Sequence, residues 1–248
     1  MGCHTLGKRA YRVTRKFELV TITSPLFDMD FLKVDFRVAG FAVTGMGLRQ
    51  VGADMDLNRI ETWVDPDQHD QGVTDTCGEP AGTIRVMFKA EHLAPFDRGA
   101  QALVIHEGVH ASLRRSKVPS GGHLEEAAAY LAQALFFERK GQSIIEDWEE
   151  DNQWAFNQPH IDDPIEADSK ARIYAAAERL IEKFAMDEKP VGLTAADVSD
   201  LVAAIARDPG YAKPKPVKPK PPLKPDDPET FLERWRARRK KRRERWAQ

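Results

Sequence analysis

PFDRGAQALVIHEGVHASLRR, residues 95–115, and HLEEAAAYLAQALFFERKG, residues 123–141, are separated only by SKVPSGG and decide how the rest of the chain is read. In the first segment Asp97 is a natural helix cap, and Glu107 is the only charge between Arg98 and Arg114. A helix that is apolar on all sides is a buried one. The second segment is rich in alanine, the strongest helix former, and Gly141 supplies its stop. Helices joined by so short a turn are expected to pack antiparallel.

Residues four apart on a helix share a face, so His106 and His110 can aim imidazole nitrogens at one point about 2 Å from each, which suits Zn2+. Glu107, one position after the first imidazole, can take a proton from water beside the metal without itself being a ligand, which makes it the candidate general base. With 7 His and 18 Glu in 248 residues, HExxH arises by chance roughly 0.014 times. Burying His, Glu and His in an otherwise apolar helix without a metal would also be costly. Coincidence and a purely structural role are both poor explanations of HEGVH.

A catalytic zinc needs a third protein ligand and an open position. His110 lies five residues before Arg115, and Glu126 lies a similar distance into the next helix, so an antiparallel pair brings the two to one height. This favours Glu126. Glu125, about 100° around the helix, is the second choice, and His123 is a third candidate as ligand or proton donor. Tyr130, one turn beyond Glu126, is placed to hydrogen-bond an oxyanion, although a lone aromatic is more often packing.

HEGVH followed after a turn by EEAAAY resembles the zincin metallopeptidases, in particular the gluzincin type whose third ligand is a glutamate. The likeness spans roughly Thr83 to Phe137, and it implies a zinc metallopeptidase acting on a peptide or protein substrate. It maps Glu126 as ligand and Tyr130 as the side chain four positions on, where an acidic residue is often seen in that family. Ser116, six residues after His110, stands where a metzincin would need a histidine. By the same analogy Thr83–Phe88 is a strand able to receive an extended peptide by main-chain pairing.

Upstream, YRVTRKFELVTIT (11–23), LKVDFRV (32–38), Arg59–Val64 and Thr83–Phe88 read as strands of a small antiparallel sheet, and DPDQHDQGVTDTCGEPAG (65–82) as a loop. Downstream, helices are expected near Ile165–Met186 and Thr194–Arg207, the latter opened by Thr194 and Asp197 in the manner of a capping box. The expected organisation is an N-terminal extension (1–10), an α+β zincin-like domain (11–211), a Lys/Pro-rich polyproline linker (212–227) and a basic helical tail (228–248) expected to be disordered without a partner. Residues 212–248 carry 14 Lys or Arg against 5 Asp or Glu, while the remainder carries 23 against 34. The tail, with Trp235 and Trp246 among its cations, therefore suits an anionic partner, a nucleic acid or a membrane surface, and a binding protein with a vestigial metal site is the alternative function. Alternatively the tail folds back on the acidic body.

Cys3 and Cys77 are too few for a disulfide framework or a four-cysteine zinc site, so a metal must rely on imidazole and carboxylate. TCGEPAG faintly resembles a propeptide cysteine that caps zinc through its thiolate, but the arginine expected before it is missing, and Cys77 reads as an inert loop thiol. Without a membrane span or an apolar signal core, a soluble cytoplasmic protein is expected.

Overall fold

The computed structural model describes residues 3–67, 72–89, 97–118, 122–145 and 164–211, all within one compact unit, Met1–Ala212. The linker, the basic tail, the acidic run at 146–151 and His69, His92 and His160 lie outside the described residues. The elements run β1 (Tyr11–Arg12), α1 (Lys16–Thr23), two 3-10 turns (Ser24–Phe27 and Phe31–Lys33), β2 (Asp35–Val38), β3 (Phe41–Thr44) and α2 (Gly45–Asp56). Then come β4 (Glu61–Val64), β5 (Gly72–Gly78), β6 (Thr83–Phe88), α3 (Arg98–Arg115), α4 (His123–Arg139), α5 (Pro164–Phe184), β7 (Val191–Leu193) and α6 (Ser199–Arg207). The class is α+β, as the sequence implies.

The helix pair forms as its residues dictate. The Asp97 carboxylate accepts from the Ala100 amide at 2.8 Å, Arg114 and Arg115 sit in the last turn of α3 where the helix dipole favours cations, and every residue from Ala102 to Ala111 is buried. Gly141, at φ 67°, turns the chain out of α4. Contacts join His110 to Glu125 and His106 to Gln133, so rising numbers on one helix meet falling numbers on the other, and the pair is antiparallel. α2, β5 and β6 also pack on α3, and α5 and α6 pack on α4.

Two small sheets replace the single antiparallel one expected. One has the order β1-β4-β6-β5 and the other β3-β2-β7. Each contains one parallel pair, β4 with β6 and β2 with β7, beside antiparallel neighbours. Thr83–Phe88 is a strand, but it lies between β4 and β5 rather than at an edge; the edge is β5, which runs through residues read as loop.

Two further expectations fail for identifiable reasons. Residues 16–23 are helix, not strand. Leu19, Ile22, Thr23 and Leu26 are all buried, which is the i, i+3, i+4, i+7 spacing of one helical face, and α1 packs on α2 and α3. The β-branched run Val20–Thr23 lowers local helix preference, and tertiary burial overrides it. Three glycines hide α2, whose cap is Thr44 accepting from the Gly47 amide at 3.0 Å and whose Leu48, Val51 and Met55 enter the core. The Thr194/Asp197 exchange does form, with amide-to-side-chain distances of 2.8 and 3.2 Å, but it closes a turn ahead of α6 rather than its first turn.

Cys3 and Cys77 are joined in a disulfide whose Cα atoms are 5.6 Å apart, which corrects the reading of Cys77 as an inert loop thiol and leaves it no thiolate to cap a metal. The bond fastens residues 3–10 to the sheet. The His4 amide donates to Asp75 at 3.1 Å, Arg85 donates to the His4 carbonyl at 2.8 Å, the Gly7 amide donates to Asp65 at 2.7 Å, and Arg9 pairs with Asp67. Asp75 and Arg85 form a buried ion pair at 2.6 Å. Burial opposes ionisation of Asp75, but the guanidinium and the Cys77 and His4 amides outweigh it and hold the carboxyl below its usual range.

Candidate metal centre

His106, His110 and Glu126 converge. The two Nε2 atoms are 3.3 Å apart, and Oε2 of Glu126 is 3.4 Å from that of His106 and 3.5 Å from that of His110. A point equidistant from three such atoms lies about 2 Å from each, the bond length of zinc to imidazole nitrogen and carboxylate oxygen. These three form the metal-competent group found among the described residues. Oε2 of Glu126 is buried yet has no hydrogen-bond partner, which a buried carboxylate oxygen tolerates poorly unless a cation takes that place.

Both imidazoles are held from behind by α4. Nδ1 of His110 lies 2.7 Å from Glu125, which in turn pairs with Arg114 at 2.7 Å. Nδ1 of His106 lies 3.2 Å from Oε1 of Gln133. In each case an N–H on Nδ1 donating to oxygen leaves the Nε2 lone pair pointing into the triangle, the arrangement that fixes tautomer and ring angle at histidine metal sites. Glu125, the second choice as ligand, thus backs His110, and His123 does not join the cluster.

The electrostatics favour a positive charge at this point. Burial disfavours a protonated His110, but Glu126 and the hydrogen bonds from Glu125 and Glu126 outweigh it and push the imidazole up to about 10. Burial likewise disfavours ionised Glu126, yet His110 and His106 keep it well below the usual carboxylate range. Glu107 is also buried, which raises its pKa against the opposing pull of His110 and His106. Its carboxylate accepts from the Thr74 hydroxyl at 2.8 Å, and β5 passes so close that a Cβ on Gly72 would lie 2.7 Å from Oε1.

Tyr130 packs its ring edge-on to His106, with centroids 4.7 Å apart. Its hydroxyl is engaged: Lys170 donates to it at 2.6 Å and the Tyr211 hydroxyl lies 3.1 Å away. Sequence reading missed Thr74, Gln133, Lys170 and Tyr211. Gln133 had a signal, since Glu126, Tyr130 and Gln133 follow i, i+4, i+7 on one stripe of α4. Thr74, Lys170 and Tyr211 had none, because each arrives from a distant element.

Compared with protein-family models, with curated proteins and with solved structures, the chain matches none, so the meaning of this site rests on its own residues.

Proposed function

We propose that the chain is a zinc-dependent hydrolase cleaving peptide bonds, with His106, His110 and Glu126 holding Zn2+ and Glu107 as general base. The observation that carries this reading is the triangle of two Nε2 atoms and one carboxylate oxygen with edges of 3.3 to 3.5 Å, each imidazole braced from behind. A zinc ion bound there would polarise the scissile carbonyl and lower the pKa of a water toward about 7.

Glu107 takes the proton of the attacking water and passes it to the leaving amine. Its burial raises its pKa, which suits a group that must both accept and return a proton near neutrality. The Thr74 hydroxyl fixes the orientation of that carboxylate. Tyr130 belongs to the hydroxyl cluster available to a developing oxyanion. A peptide substrate is supported by β5: among the described residues it pairs only with β6, so its other edge, beside Glu107, is open to main-chain addition by an extended chain.

No helix among the described residues is long and apolar enough to cross a membrane. The Cys3–Cys77 disulfide supports an oxidising compartment over the cytosol, where such bonds are rare.

The test is metal analysis with turnover. Wild type is expected to bind one zinc and to cleave an unfolded protein such as casein; His106→Ala and Glu126→Ala are expected to lose zinc and activity together. Glu107→Gln should keep zinc and lose activity. Full activity in Glu107→Gln, or no zinc bound by wild type, overturns the assignment.

A further inference from the structure

The hydroxyl cluster beside the metal centre has a built-in direction. Lys170 is a cation with three N–H donors and no acceptor. One N–H goes to the Tyr130 oxygen at 2.6 Å, and the ammonium stands 3.5 Å from Asp208 and over the rings of Tyr130 and Tyr211, 5.3 and 5.1 Å from their centroids. Asp208 is fully buried and is itself held by the Ser169 hydroxyl at 2.9 Å and the Gly210 amide at 2.8 Å. Lys170 therefore stays an ammonium: burial opposes its charge, but Tyr130, Tyr174 and Asp208 outweigh that and raise its pKa.

The proton inventory follows. With its oxygen already accepting from Lys170, Tyr130 has its own proton to give, and the partner at hand is the Tyr211 oxygen 3.1 Å away. A Tyr211 oxygen that accepts leaves the Tyr211 proton free to be donated onward. The Tyr211 hydroxyl lies against the Glu126 carboxylate at the metal triangle, and burial, Tyr130 and Glu126 together raise it well above the usual phenol range, so it keeps its proton. Tyr130 is buried with both sides of its hydroxyl engaged, whereas Tyr211 is half-buried, on a turn whose amide donates to the Asp208 carbonyl at 3.0 Å. Only Tyr211 ends the chain of donors.

We propose that Tyr211 is the catalytic hydroxyl that donates to the carbonyl oxygen under attack, with Tyr130 and Lys170 as positioning residues that orient its proton toward the site. This rests on the hydrolase reading and assigns the oxyanion contact to a side chain 81 positions from Tyr130. Glu107 and β5 then lie to one side of the reacting carbon and Tyr211 to another.

The experiment uses the full chain loaded with Co2+, whose visible spectrum reports both metal occupancy and ligand binding. Acetohydroxamate is titrated into wild type, Tyr211→Phe, Tyr130→Phe and Lys170→Met, and kcat and KM on casein are measured separately with the zinc forms. Tyr211→Phe is expected to bind cobalt like wild type, to weaken acetohydroxamate about tenfold or more, and to lower kcat by about 10² to 10³ with little change in KM. Tyr130→Phe and Lys170→Met should show smaller losses of the same kind at full metal occupancy. Wild-type affinity for the probe in Tyr211→Phe, or a larger loss in Tyr130→Phe than in Tyr211→Phe, overturns the proposal. A wild type that takes up no cobalt sinks the metal centre itself; a cobalt form that binds the probe with no turnover of casein sinks the peptidase reading alone.

Discussion

At the residue scale, the metal centre was legible where its members share an element. His106, Glu107 and His110 sit within five positions of one helix, so spacing alone places them, and the helix-pair argument picked Glu126 over its neighbour because 100° of helix phase separates the two faces. What spacing could not show is the use made of the other face, where Glu125 reaches Nδ1 of His110 while being held by Arg114. This yields a prediction about Glu125. Replacing it with Gln keeps an acceptor for the Nδ1–H but removes the charge, and replacing it with Ala removes both. Zinc affinity is expected to fall by roughly 10 to 100-fold in Glu125→Ala and by less in Glu125→Gln. Competition against a chelating indicator measures the order; equal affinities in all three proteins would show that the imidazole needs no brace.

At the element scale, α3 and α4 were readable because cap, stop and burial all agree locally, and α1 and α2 were not because tertiary contacts override what their residues prefer alone. β5 is the instructive miss. Its Gly72, Thr74, Asp75 and Gly78 carry turn chemistry, yet the strand is held by pairing with β6 and by packing on α3. The glycine at its start has a positional reason: a methyl group at residue 72 would meet Glu107 at 2.7 to 3.0 Å. The atoms it meets belong to the end of a side chain that can swing aside, so Gly72→Ala should cost little stability. The cost should fall on the position of the base, where a displacement near 1 Å is worth about 10²-fold in rate. Gly72→Ala is therefore expected to melt like wild type, to hold zinc, and to lose about 10²-fold in kcat. Unchanged kcat would mean that Glu107 does not act from the position β5 imposes on it.

At the scale of the whole molecule, composition pointed to one α+β domain, and charge set the basic tail apart, but two cysteines among 248 residues gave no hint that they meet. Their bond spans 74 residues, and in the chain-entropy model closing a loop of that size stabilises the fold by roughly 4 kcal/mol. Its location bears on function as well. Side chains alternate along a strand, and Thr74 faces Glu107 on α3, so Asp75 and the N-terminal segment bound to it lie on the opposite face of the sheet. The disulfide should therefore govern stability without touching the metal centre. Reduction, or the double replacement Cys3→Ser with Cys77→Ser, is expected to lower the melting temperature by roughly 5 to 15 °C for a destabilisation of about 2 to 4 kcal/mol. Zinc content at 25 °C should be unchanged. Identical melts with and without reductant would show that the two cysteines are not joined in solution, whereas zinc loss from a still-folded double variant would make the N-terminal segment part of the site.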